Sequence, residues 1–309
     1  MPTVLGQNPT TSSGQGFPVR PVRIVTSAVG GLNDFASRLI AQGLSVSIGE
    51  QVIVDNRGVS SIDIVAKAAP DGHTVLCFAN NFWLLPFMQD NVSYDPVRDF
   101  VPLTLAVTAP NLLAVHPSLP VNTVKQLIAL AKARPGELNY GVGAAGGSPH
   151  LAAELFKSMA RVDIMRIDYK GSGPSLTGLI AGEIQLMFAT PGSVVPQVKA
   201  GKLKALAITS AQPSALTPGL PTVSASGLPG YEAIAVIALF APAKTPTAIV
   251  NRLNQEMIRV LGRPEVKEKF INVGSEVVGS TPDELNTMMK TEIDKWGKLI
   301  KDAGIRGGG

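Results

Sequence analysis

The chain is predicted to be an α/β protein built as two lobes, and three observations carry that prediction. Short β-branched runs alternate with amphipathic helical patterns along most of the sequence, the order in which strand–helix–strand units build a helix-covered sheet. The length of 309 residues exceeds one ordinary compact core and suits two lobes of roughly 100–200 residues each. Apolar residues make up 45% and charged residues 16%, enough to fill a large core and too apolar for a disordered chain.

The elements follow in order. Residues 22–26 form a β-branched strand, Gly30-Gly31 follows, and an amphipathic helix over about 34–48 stops at Gly49. A strand at 51–55, a helix near 61–69 ended by Pro70-Asp71-Gly72, and a strand at 74–79 complete the first units. Such crossovers predict a parallel sheet. The middle section repeats the pattern: a strand at 112–116, a capping box from Thr123 to Gln126 opening a helix that ends at Arg134-Pro135-Gly136, and a strand at 139–142. A glycine loop and a helix over about 149–159 come next, then strands at 164–169, 184–189 and 205–209. Residues 211–230, rich in Pro, Ser and Gly, read as a long loop. The tail is helical. Thr245-Pro246 reads as a cap with proline at the first helical position, and Ile249, Leu253, Met257 and Val260 line one face. Thr281-Pro282-Asp283-Glu284 repeats the cap, and the Met and Trp stripe that follows reads as core. Residues 1–16, polar and without an apolar stretch, are expected to be a disordered leader, and Gly307-Gly308-Gly309 likewise.

Several function classes are set aside. The longest apolar run, 233–243, is about half of the roughly 20 residues that a membrane-spanning helix needs. The net charge of +4 comes from scattered basic residues, without a run that suggests nucleic acid. Three separated histidines and one cysteine give no metal-ligand spacing, and Cys77 reads as a small buried hydrophobe. No Walker-type phosphate loop is present, and no cofactor is expected. Gly146-Gly147-Ser148-Pro149-His150 ends in His where a nucleophile elbow has Gly, so Ser148 is expected to cap its helix or donate a hydrogen bond.

What remains is glycine at two helix starts. Glycine-rich loops there expose backbone N–H groups and a positive dipole end, which suit an anion. Gly30-Gly31 opens one helix and the loop through Gly143 and Ser148 another. Facing each other across a cleft, the two could hold a carboxylate without an arginine clamp; alternatively each glycine serves only a tight turn. Gly141-Val142-Gly143-Ala144-Ala145-Gly146 also matches the dinucleotide pattern, with Asp163 and Asp168 near the offset for a ribose contact, which leaves a nucleotide-dependent enzyme as an alternative.

A series of motifs then points to a family: Gly30-Gly31-Leu32-Asn33-Asp34, Asp55-Asn56-Arg57, Ala69-Pro70-Asp71-Gly72, Tyr94-Asp95-Pro96, His116-Pro117-Ser118-Leu119-Pro120, Tyr140-Gly141 through His150-Leu151, Tyr169-Lys170-Gly171-Ser172-Gly173-Pro174, and Ala200-Gly201-Lys202-Leu203-Lys204. In order and spacing these resemble the substrate-binding proteins of tripartite tricarboxylate transporters, the TctC or Bug family. The resemblance runs from about residue 19 to residue 305.

The resemblance implies a type II-like periplasmic binding fold with two α/β lobes, a hinge and a central cleft. Lobe 1 would comprise 17–110 plus 230–306, and lobe 2 residues 111–229. It implies no enzymatic activity, a periplasmic location, capture of a small organic acid, and delivery to membrane transporter subunits. By motif matching the first ligand loop falls on Gly30, Gly31, Asn33 and Asp34, and the second on Gly143, Ala144, Ala145, Gly147, Ser148 and His150. Asp34 is expected to hold its loop rather than touch an anion. Asn81 and Phe82 follow a strand end where binding loops gather; Phe82 or Trp83 either faces the ligand body or packs in the lobe core. Lys170 offers a cationic contact or is a solvated loop lysine. The sequence departs from the family where Arg57-Gly58-Val59-Ser60-Ser61 lacks the usual proline–glycine run, where Ala189 replaces a common acid, where 235–238 holds no aromatic, and where Ala28-Val29 lacks a proline. These departures suggest a roomier, more apolar pocket. A module that kept the fold for sensing or interaction and lost its ligand is a further alternative.

Overall fold

The computed structural model describes residues 16–143 and 146–306; the expected leader, the terminal glycines, Ala144 and Ala145 lie outside the described residues, Gly16 excepted. In chain order the elements are β1 (Val22–Thr26), α1 (Leu32–Ile48), β2 (Val52–Asn56), α2 (Ser60–Ala66), β3 (Thr74–Ala79), α3 (Asn81–Met88), β4 (Phe100–Pro110), β5 (Leu112–Val115), α4 (Val124–Ala133), β6 (Asn139–Val142), α5 (Ser148–Ala160), β7 (Met165–Asp168), α6 (Ser172–Ala181), β8 (Leu186–Ala189), α7 (Pro191–Lys199), β9 (Lys204–Ile208), β10 (Ile234–Pro242), α8 (Thr247–Leu261), α9 (Pro264–Asn272), β11 (Glu276–Val277) and α10 (Pro282–Asp302).

The strands form two sheets, and each sheet with its helices makes a lobe. The first has the order β11-β4-β10-β3-β1-β2 and the second β7-β6-β8-β5-β9. The expected parallel sheet is corrected to two mixed ones. β1 pairs in parallel with β2 and β3, but β10 runs antiparallel between β3 and β4. In the second sheet β6 pairs in parallel with β7 and β8, while β5 is antiparallel to β8 and β9. The physical cause is the double crossing between lobes. β4 carries the chain out of the first sheet, β5 enters the second from the opposite direction, and β10 brings the chain back beside β4.

Hydrogen bonds from the backbone tie the crossings together. Asn111 N donates to Thr209 Oγ1 at 2.7 Å, and Thr209 N donates to Asn111 O at 2.9 Å. Ala233 N in turn donates to Thr209 O at 3.0 Å. The largest apolar cluster runs through both lobes on this side, from Phe82, Trp83 and Trp296 through Tyr231 to Ala152 and Phe156. Within it the buried Tyr231 hydroxyl donates to Ala152 O at 2.8 Å.

The two threonine–proline caps behave differently. Thr281 caps α10 with both halves of a capping box, its hydroxyl accepting from Glu284 N and the Glu284 carboxylate accepting from Thr281 N. The expectation at Thr245 is corrected: Pro246 is the N-cap of α8, and the Thr245 hydroxyl donates backwards to Pro242 O at 2.7 Å. At α4 the Thr123 side chain accepts from Gln126 N, but Gln126 Oε1 takes Asn122 N rather than Thr123 N.

Candidate functional site

Both glycine loops stand at the C-terminal end of a strand and the N-terminus of a helix, and they are built alike. In the first lobe Gly31 is the N-cap of α1 with extended backbone, φ −88° and ψ 175°. Gly30 before it has φ +91°, a conformation that glycine adopts without the Cβ penalty. In the second lobe Gly147 is the N-cap of α5 with φ −71° and ψ 162°, and Gly146 before it has φ +75°. Neither helix receives a side-chain cap at its N-cap residue, so the first-turn N–H groups are left for another acceptor.

A side chain at the third helical position holds each loop. Asp34 Oδ2 accepts from Gly30 N at 3.0 Å, and His150 Nδ1 accepts from Gly146 N at 2.9 Å. Asp34 also takes Asn56 Nδ2 at 3.0 Å and Arg38 Nε at 2.9 Å. Burial pushes the Asp34 carboxyl up, but the Gly30 N–H, Arg38 and Asn56 outweigh it, so the group sits below its ordinary value. His150 is shifted down by burial first and by the Arg166 guanidinium second. Accepting from Gly146 N at Nδ1 leaves the hydrogen of the neutral ring on Nε2, and Arg166 Nη1 lies 3.2 Å from that nitrogen.

The two loops differ in the room around their glycines. A Cβ at Gly30 or Gly31 would meet nothing within 4 Å, whereas one at Gly143 would lie 2.4 Å from Ser172 N and 2.5 Å from Gly171 C. Gly143 therefore lets the β6 end approach the start of α6. Close packing against the start of α6 accounts for the missing side chain there, whereas Gly31 faces open space with a φ that any residue adopts.

The remaining candidates divide by burial. Asn33 Nδ2 donates to Ser27 Oγ at 3.0 Å, and its buried Oδ1 has no partner among the described residues. Ser148 Oγ accepts from Asn111 Nδ2 at 2.9 Å, which ties the second loop to the crossing. Asn81 and Lys170 are exposed. Phe82, His150 and Ala189 are buried. Phe82 is fully buried against Tyr94, Phe100 and Phe240; His150 lies beneath its loop; and Ala189 packs with Leu112 and Val194. The dinucleotide pattern includes Ala144 and Ala145, outside the described residues, and its first glycine, Gly141, is sterically enclosed by Ser175 Oγ and Ile184. Sequence reasoning missed Asn111, although a lone polar residue between Pro110 and the apolar run of β5 is a visible signal.

Two lobes joined by paired crossings, each presenting a helix N-terminus at its strand ends, define the class of two-lobed solute-binding proteins. The family model described as the tripartite tricarboxylate transporter family receptor, TctC, matches residues 36–305, and the chain belongs to this family. The family comprises solute receptors rather than enzymes. Protein BugT of Bordetella pertussis is 33% identical over 301 residues, 95% of this chain and 92% of that protein. The structure of R. palustris Rpa4515 with adipate is 37% identical with a TM-score of 0.76, covering 94% of this chain and 99% of that one. MatC from Rhodopseudomonas palustris with bound malate is 28% identical with a TM-score of 0.72, covering 92% and 100%.

Proposed function

We propose that the protein is an extracytoplasmic binding protein that captures a small organic carboxylate between its lobes and delivers it to a tripartite tricarboxylate-type membrane transporter. The matched construction of the two loops carries this reading. Each lobe offers uncapped helix N–H groups beside a glycine pair, and each fixes its loop with an internal acceptor at the third helical position. The adipate and malate of the two structural relatives are the same ligand chemistry. Residues 17–110 plus 230–306 and residues 111–229 are the two bodies that close on the acid, with the crossings at Asn111 and Thr209 as the hinge. The ligand-contacting groups are the backbone at Gly30, Gly31, Gly143 and Gly147, with Asn33, Ser148, Asn81 and Lys170 at the margins. A periplasmic location follows from the family, and no described helix is long and apolar enough to cross a membrane.

The test is a melting-temperature screen over mono- and dicarboxylates including adipate and malate, with NAD as a separate arm. A ligand that binds only the folded state, at one hundred times its Kd, adds about 2.7 kcal/mol of stability. The expected result is a rise with at least one acid and none with NAD. In Gly31→Ala the added methyl enters open space, so the unliganded melting temperature stays near that of the wild type while the acid-induced rise shrinks. A rise with NAD alone, or an undiminished acid response in Gly31→Ala, would overturn the reading.

A further inference from the structure

We propose that β7 is a self-association edge, on which a second copy of this chain adds its own β7 in antiparallel fashion. Among the described residues β7 is the edge strand of the second sheet, paired on one side only, with β6. All four of its residues, Met165, Arg166, Ile167 and Asp168, are exposed. Met165 is 52% exposed and Ile167 36%, so the edge offers apolar surface as well as free backbone.

The backbone phase is fixed by the pairing with β6. Met165 N donates to Leu138 O and Tyr169 N donates to Val142 O, both at 2.8 Å. In a parallel pair N–H and C=O of alternate residues point to the same side. Residues 165, 167 and 169 therefore face β6, and the N–H and C=O of Arg166 and Asp168 point outward. An incoming antiparallel strand bonds to those two residues.

The charges select the register. Antiparallel pairing of two identical strands centred on Ile167 sets Arg166 of each copy opposite Asp168 of the other, in a closely bonded pair. Centring on Arg166 or on Asp168 would set like charges face to face, which is unfavourable. The strand is thus complementary to itself in one register. Arg166 Nη2 and Asp168 Oδ2 already lie 3.1 Å apart within the chain, and across the two-fold axis they would form a four-charge ring. The other face would pair Ile167 with Ile167 and Met165 with Tyr169. Edge strands are commonly protected by charges that repel a neighbour; an alternating Arg and Asp pair attracts one. The contact is isologous, as a two-fold dimer requires, and joins two five-stranded sheets into one ten-stranded sheet. Its short length makes a weak, transient dimer.

Crosslinking and charge exchange test the proposal. In the centred register Ile167 meets its copy at a non-hydrogen-bonded site, with Cα atoms about 4.5 Å apart, within disulfide range. Cys77, the chain's one cysteine, is fully buried, so Ile167→Cys introduces the one accessible thiol. Mild oxidation should give a covalent dimer with Ile167→Cys and at least about tenfold less with Val46→Cys, a control position 76% exposed on α1 in the other lobe. By sedimentation from micromolar to millimolar protein, Arg166→Asp and Asp168→Arg should each weaken self-association about tenfold or more. Mixing those two variants should restore it, because each then faces the opposite charge. Circular dichroism confirms that each variant is folded; Asp168→Arg and Ile167→Cys do not touch His150 and stand in if Arg166→Asp is not. A monomer at every concentration, equal crosslinking at the two cysteine positions, or a mixture no more associated than its components would overturn the proposal.

Discussion

His150 and Asp34 do the same task with different chemistry, and pH separates them. The neutral His150 ring accepts Gly146 N–H, and burial with Arg166 alongside holds its pKa below the ordinary value. In the unfolded chain the imidazole takes up a proton near about pH 6.5, and in the fold only at a lower pH. A depressed folded pKa gives stability that is present above the unfolded value and lost as pH falls through the window below it. Asp34, also depressed, loses its contribution only below the ordinary carboxylate range. The expected outcome is a fall in unfolding free energy between pH 7.5 and pH 5 that is smaller in His150→Gln, whose amide oxygen can still accept the Gly146 N–H; denaturant titration at the two pH values measures it, and equal falls would reject the role. At this scale the sequence was half legible. It placed both glycine pairs and both helix starts, and it assigned Asp34 to its loop. It did not reveal that His150 is the counterpart of Asp34, because a side chain folding back on its own N-terminus leaves the same letters as one facing a ligand.

Among the elements, legibility followed periodicity. α1, α5 and α10 announce themselves by apolar residues at helical spacing and by their end signals, and they formed within a few residues of the expected bounds. α6, with its run Ser172-Gly173-Pro174-Ser175, and α7, with prolines at both Pro191 and Pro196, lack that spacing and carry weak helix formers. Packing against the second sheet, through Leu179 and Val194, decides them. β4 and β10 were hidden for another reason: buried on both faces at the crossing, they read as plain apolar runs without alternation. The two threonine–proline motifs show how much a single partner residue matters. Glu284 at the third helical position closes the box at Thr281, whereas Ala248 stands at the corresponding place after Thr245 and cannot. Thr281→Ala is therefore expected to cost about 1 kcal/mol, measured by urea unfolding; a cost near zero would mean that packing of the Leu285 and Trp296 face alone sets where α10 begins.

At the scale of the molecule, the crossing that makes two lobes also sets the second loop. Asn111 uses its backbone on Thr209 and its side-chain amide on Ser148, the first residue of α5. The lobe crossing and the second glycine turn are thus one hydrogen-bonded unit. The first loop is held wholly within its own lobe, by Asp34 and Asn56. Ligand capture then has two separable parts: the position of the loops, and the closure that brings them together. Asn111→Ala removes the tie to Ser148 while leaving the backbone pairing with Thr209 in place. One net hydrogen bond, about 0.5–1.5 kcal/mol, corresponds to a loss of up to about tenfold in affinity. The expected outcome with adipate or malate, whichever the melting screen selects, is a raised Kd by calorimetry. At saturation, small-angle scattering should find the variant and the wild type equally compact. If Asn111 instead governs closure, the saturated variant will keep the larger radius of the unliganded form, and the second loop will have to be assigned to the hinge rather than to the binding surface.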